Sequence, residues 1–218
     1  MSPLETATIV SISKSVVRRY SFGCSIGGYL APDLAYYHPD DFRAVVGINA
    51  AIAGAAVLAK KSGAPVALSG ANPNLHPRIS TGAIGTAMYN VTSPSAPEPY
   101  RRETGWIYSQ GGPGIFAGDL YYFTTDHDLT AGRAEKIDTS RIGVYLLSGE
   151  YDPTAKPGRG SGQALADAIK GSHFQIVKGA SHFAMTDDYA LLRKSLVPVL
   201  DEIHEKYGRP GLSRATGN

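Results

Sequence analysis

The 218 residues include one cysteine, Cys24. A lone thiol excludes an internal disulfide and any metal site built from Cys ligands, and it fits a reducing compartment. Charge is scarce as well. Charged residues make up 18% of the chain and the net charge is +2. Basic and acidic side chains are interspersed, so no Lys/Arg run or stripe offers a footprint for nucleic acid or an anionic membrane. Neither is expected as a partner. Uninterrupted apolar runs fall well short of the roughly 20 residues that span a bilayer. The N-terminal segment has Glu5 early and Lys14, Arg18 and Arg19 late, the wrong charge order for a secretory signal. A cytoplasmic location is the expectation. Asp126-His127-Asp128 is the one run with metal-ligand character, and no second His cluster at ligand spacing accompanies it. No metal and no cofactor is expected. There is no internal repeat and no low-complexity tail.

What remains is a chain of one-domain length with 43% hydrophobic residues, which fits a soluble globular protein with room for an insertion. Its most informative stretch is RYSFGCSIGGYLA, residues 19–31. An apolar, β-prone run (Tyr20 to Phe22) leads into Gly23-Cys24-Ser25-Ile26-Gly27-Gly28, and an apolar segment at helical spacing follows. This predicts a strand over 19–24, a sharp turn, and a helix over 26–38 with Pro32 inside it. At such a turn the residues flanking the apex must be small. Gly23 and Gly27 let the backbone fold back closely, which lifts the Ser25 hydroxyl clear of the sheet. Centring the motif on Cys24 would put Phe22 and Ile26 at the small positions, so Cys24 reads as a packed small apolar residue.

Beyond the elbow, Phe42 to Ile48 is a continuous apolar run of strand length, as in a fully buried parallel strand. Residues 50–140 change character. They are Ala/Gly-rich, then Pro/Asn-rich, then aromatic (Trp106, Tyr108, Phe116, Tyr121). A structureless loop of that length is foreign to a compact domain, so the stretch reads as an inserted, mainly helical subdomain. Residues 142–147 form a second buried run. A helix over 163–170 follows, with Gly171 just past its end, and a short strand is predicted over 174–177. A last helix spans 187–206, with Asp187 and Asp188 at its positive end and Pro198 bending it. Residues 1–17 have the β-branched density of a strand, and 207–218 read as a frayed polar tail. Strands alternating with helices mean α/β with a mainly parallel sheet.

Two strand ends carry further chemistry. The run at 142–147 ends in Ser148-Gly149-Glu150-Tyr151-Asp152-Pro153, and that at 174–177 in Lys178-Gly179-Ala180-Ser181-His182-Phe183. Taken singly, an Asp after a strand is a turn residue or cap, and a loop His is usually solvated. Together, Ser25, Asp152 and His182 stand at the C-terminal ends of three predicted strands, in that chain order. This constellation resembles the α/β-hydrolase superfamily of serine hydrolases with a cap domain. The resemblance implies a nucleophile at Ser25, an orienting acid at Asp152 with Glu150 as the alternative, a base at His182, and an oxyanion donor in the Ile26 N–H. It implies a core of 1–49 and 141–218 and a helical cap of 50–140. In that cap Trp106 and Tyr108 face either the cap core or a substrate pocket, and are the candidate substrate-binding residues. Gln110-Gly111-Gly112-Pro113-Gly114 is similar to the oxyanion loop of proline iminopeptidases, but it lacks the His and follows the nucleophile. It reads as a turn of the cap.

The implied activity is hydrolysis of a carboxylic ester or lactone with an apolar or aromatic part, and the implied partner is a small ester-like molecule. Two alternatives stand beside it. One is a C–C bond or amide hydrolase with the same triad. The other is a hydrolase-like protein that binds a ligand without turnover, or an inactive fragment. The family has strands before its elbow, and only 18 residues precede the elbow strand here. The expectation is therefore a partial fold without those N-terminal strands or the second oxyanion donor they supply. Its elbow strand would have an open edge capable of self-association.

Overall fold

The computed structural model describes residues 19–54, 85, 88–110, 127–152 and 161–208. The expectations for residues 1–17, for most of the Gly/Pro-rich and aromatic parts of 50–140, and for the tail beyond 208 lie outside the described residues.

Among the described residues, four strands form one sheet in the order β1 (Arg19–Cys24), β2 (Phe42–Ile48), β3 (Gly143–Gly149) and β4 (His173–Val177), each parallel to its neighbour. Helix α1 (Ile26–Tyr37) follows β1 after the single residue Ser25 and ends with His38 as its cap. α2 (Glu98–Ser109) lies within the expected insertion. α3 (Gly162–Ala168) is capped by Ser161, whose hydroxyl accepts from Ala164 N at 3.1 Å. α4 (Ala184–Asp187) and α5 (Tyr189–Tyr207) close the described chain.

Why β2 and β3 read as unbroken apolar runs is now plain. Their central side chains alternate between two cores, so both faces of each strand are mainly apolar. Val45, Val144 and Leu146 pack beneath the sheet with Ala31 and Ala35 of α1 and Leu165 of α3. Val46, Tyr145 and Leu147 pack on the opposite face with Leu192, Val199 and Ile203 of α5. The lower core also takes in Ala50, Leu129, Ala134 and Ile137, and Leu129 N donates to Ile52 O at 2.8 Å. Both ends of the stretch expected as an insertion therefore pack in the core with the sheet. Among the described residues β1 and β4 are the outer strands, and Tyr20 and Phe22 of β1 are 40% and 50% exposed. No helix of the described residues is long and apolar enough to cross a membrane.

The helix expected over 187–206 is α5, beginning at Tyr189, and the separate short helix α4 precedes it and ends at Asp187. Asp188 separates the two with extended backbone and caps α5 by accepting from Leu191 N at 3.0 Å. Asp187 does not serve the helix dipole. It turns inward and is buried, and each of its carboxylate oxygens accepts from a backbone N–H, Ser93 and Ser181, at 2.7 Å.

Candidate active site

The parallel sheet sends all four strand ends to one edge of the molecule, and the chemistry-bearing side chains follow. Ser25 stands between β1 and α1 with φ 57° and ψ −120°. This is positive-φ backbone that a residue with a Cβ adopts only under constraint. Two close approaches supply the constraint. A Cβ on Gly23 would lie 2.1 Å from the carbonyl oxygen of Gly27, and one on Gly28 would lie 2.2 Å from that of Ile48. Ser25 N also donates to Ile48 O at 3.0 Å, tying the apex to the end of β2. The sequence pattern assigned the tight positions to Gly23 and Gly27. The structure keeps Gly23 and replaces Gly27 by Gly28, since a Cβ on Gly27 would meet nothing within 4 Å.

The Ser25 hydroxyl is 2.7 Å from His182 Nε2. His182 Nδ1 donates to Asp152 Oδ2 in a short hydrogen bond. With Nδ1 carrying the proton, Nε2 is the acceptor and the Ser25 O–H the donor. Asp152 is fully buried at the end of β3, and its N–H donates to Gly149 O at 3.0 Å. The His182 side chain keeps 18% of its surface open to solvent. The three residues singled out in the sequence are thus brought together. Glu150 is not part of the group. Its Oε2 accepts from Gly179 N at 2.8 Å, in an exposed position.

Ile26 is the first residue of α1. Its N–H belongs to the helix's first turn, where backbone donors have no partner within the helix and the dipole is positive. That end of α1 lies at the Ser25 hydroxyl. Cys24 packs against the upper core and its thiol points to the His182 carbonyl at 3.4 Å. Burial, with the Asp152 charge adding to it, pushes the thiol pKa up to about 12.

The aromatic expectation divides. Tyr108 stacks on Phe183 with ring centroids 5.2 Å apart, and Phe183 meets the His182 ring edge-to-face at 4.9 Å. Trp106, on the same helix, is 64% exposed. Its ring is not packed in a core. α2 packs against α4, just past His182, and Thr104 Oγ1 donates to Thr186 Oγ1 at 3.3 Å across that contact.

Two participants were not found in the sequence. Phe183 forms a wall beside the imidazole. Asp187 holds Ser181 N, adjacent to His182, and burial raises its carboxyl pKa against the opposing hydrogen bonds from Ser93 and Ser181. His127 has a different place. It is buried, with Nε2 bonded to Ala51 O at 2.8 Å and Nδ1 to Asp33 Oδ2 at 2.9 Å. It fastens the underside of α1 to the core.

Comparison with known proteins bears on the fold. No family model matches the sequence, and no curated protein matches it. Solved structures do. A thermophilic esterase from Thermogutta terrifontis superposes with a TM-score of 0.65 at 16% identity, covering 85% of this chain and 65% of the esterase. The enol-lactonase from Burkholderia xenovorans gives 0.64 at 19%, covering 85% of this chain and 66% of the lactonase. An N-acyl homoserine lactone degrading enzyme gives 0.58 at 20%, with 84% and 68% covered. The fold is that of the α/β-hydrolases. The chain spans about two thirds of the length of these solved structures. At these identities the likeness establishes the architecture, and the activity rests on the site.

Proposed function

We propose that the chain is a serine hydrolase of carboxylic esters or lactones, with Ser25 as nucleophile, His182 as general base and acid, and Asp152 as the group that orients the imidazole. The observation that supports this most directly is the continuous hydrogen-bond relay from Ser25 Oγ through His182 to the buried Asp152.

The steps follow from that geometry. Ser25 Oγ attacks the carbonyl carbon while its proton passes to His182 Nε2. Asp152, without becoming protonated, stabilises the imidazolium and keeps Nδ1 as the protonated nitrogen. Negative charge that builds on the carbonyl oxygen meets the Ile26 N–H and the positive end of α1. The C–O bond then breaks and His182 returns the proton to the leaving alcohol. In a lactone that alcohol stays attached to the acyl group. Water, deprotonated by His182, attacks the acyl-enzyme and releases the acid and Ser25.

The preference for an apolar or aromatic substituent draws support from the Tyr108–Phe183 pair beside the imidazole. A cap role for 50–140 draws support from the packing of α2 against α4 next to His182. The esterase and lactonase names of the structural neighbours point the same way.

The test is turnover of aryl esters and aryl-substituted lactones, together with labelling by a fluorophosphonate, on wild type and Ser25→Ala. Labelling and turnover that both vanish in the variant are the expected result. Turnover that survives the substitution, or a wild type that neither turns over nor labels, would sink the reading.

A further inference from the structure

Asn49 follows the last residue of β2 and is 0% exposed. Its φ is 56°, in the left-handed region where Asn is among the few residues with a Cβ that sit readily. Three polar groups of this residue reach different parts of the structure around the site. Its N–H donates to Leu147 O on β3 at 2.7 Å. Its Oδ1 accepts from Gly149 N at 2.8 Å, at the start of the turn that carries Asp152. Its Nδ2 donates to His182 O at 2.6 Å and to Ser181 O at 3.3 Å. The residue before it, Ile48, accepts the N–H of Ser25.

We infer that Asn49 is a positioning residue for the proposed triad. Its carboxamide fixes the spacing between the Asp152 turn and the His182 loop, so that the imidazole meets both Asp152 and Ser25. This rests on the serine hydrolase reading above.

The chemistry selects an amide. Gly149 N can only donate and His182 O can only accept, so the side chain between them must offer one acceptor and one donor in the same plane. A carboxylate would satisfy Gly149 and repel the His182 carbonyl. An aliphatic residue would leave both buried groups without this partner. The His182 loop is anchored from the other side by Asp187, which takes Ser181 N. Glu150 holds Gly179 N, and Val91 O accepts from the Ser181 hydroxyl and from His182 N, so the loop stays seated without the amide, while the His182 carbonyl loses the carboxamide that fixes it. Removing the amide moves the imidazole without unseating the loop. Misplacement of a catalytic group by about 1 Å costs on the order of 10²-fold in rate.

Two variants separate this from a role in stability alone. Asn49→Gly keeps access to positive φ and removes the amide. Asn49→Asp keeps the shape and the acceptor for Gly149 and removes the donor to His182. Both are compared with wild type in kcat and KM, and in the rate of Ser25 phosphonylation per folded molecule at saturating probe. A third readout is the far-downfield proton resonance of His182 Nδ1–H, which needs no activity. We expect kcat and the phosphonylation rate to fall by about 10- to 100-fold with KM little changed, and the downfield resonance to broaden or disappear. Phosphonylation at the wild-type rate with the resonance intact, in either folded variant, overturns the inference. If wild type neither reacts nor turns over, the hydrolase reading fails. The resonance then still decides the matter, since its persistence in either folded variant shows that Asn49 does not position His182 and its loss in both shows that it does.

Discussion

Glu150 Oε2 holds the N–H of Gly179 at 2.8 Å, while Asp152, two residues further on, holds the ring of His182. Two carboxylates on one turn thus brace the same loop at different points, and only one of them touches the imidazole. Asp152→Asn should lower kcat by about 10⁴-fold, because the amide stabilises the wrong ring tautomer and cannot support the imidazolium. Glu150→Ala should cost roughly 1 kcal/mol of stability for one exposed hydrogen bond and leave kcat within a few-fold. Steady-state kinetics and thermal melts on the two variants check this. A collapse of activity in Glu150→Ala alone would reverse the assignment.

The two adjacent glycines of the elbow should respond oppositely to alanine. At Gly28 the new methyl would meet the Ile48 carbonyl oxygen at 2.2 Å, the same oxygen that accepts the Ser25 N–H. A loss of about 1–3 kcal/mol is expected from overpacking, along with loss of Ser25 reactivity. At Gly27 nothing lies within 4 Å of the added Cβ. Replacing a helical glycine there should raise stability by about 0.5–1 kcal/mol. Denaturant melts on both variants would expose a wrong turn geometry if their order were reversed.

Cys24 should be inert in the native protein. With its thiol pKa pushed up to about 12, almost no thiolate exists at pH 8, and the thiolate is the reactive form. Iodoacetamide at pH 8 should modify the denatured chain within minutes and leave the native chain unmodified over the same period, as read by intact mass. Rapid native labelling would mean that the elbow opens.

Asp187 gives a pH signature of known sign. Burial raises its folded-state pKa above the ordinary value of 3.8. The folded state therefore favours the protonated form. Its contribution to stability is fully present below the unfolded pKa and is lost as pH rises through the raised folded pKa. The stability of wild type minus that of Asp187→Asn should accordingly fall as pH increases from below 3.8 upward, then level off. Chemical denaturation of both proteins over a pH series measures the difference directly, and a difference that rose with pH would mean that the carboxylate is stabilised in its buried place.

How much of this was legible in the sequence depended on whether the cause was local. Ser25, Asp152 and His182 each sit where an apolar run stops, and a parallel sheet delivers all such points to one edge. The apolar alternation of β2 and β3 is likewise set by each strand's own residues. The failures share a different cause. Asp187 looked like a helix-dipole residue because a backbone turn at Asp188 cannot be read from charge alone. Its true partners, Ser93 and Ser181, come from a distant segment and from the His182 loop. Gly28 matters through the carbonyl of Ile48, twenty residues downstream, and no motif encodes that approach. The core packing of Leu129, Ala134 and Ile137 was concealed within a stretch whose composition suggested a separate body. The sequence left Trp106 open between a cap core and a pocket, because aromatic character says nothing about which face of α2 it occupies.

The far end of α5 is tethered. Both the Tyr20 hydroxyl, at 3.1 Å, and the Arg43 guanidinium donate to the carbonyl of Tyr207. The helix starts beside the His182 loop and finishes at the opening residues of β1 and β2, after 19 residues, a rise of about 28 Å. It behaves as a rigid spacer with one end near the chemistry and the other pinned at the opposite rim of the sheet. A fluorophore or a surface linker attached at the exposed Glu205 would therefore report on or hold the molecule from behind, with the face that bears Ser25 turned outward to the solution.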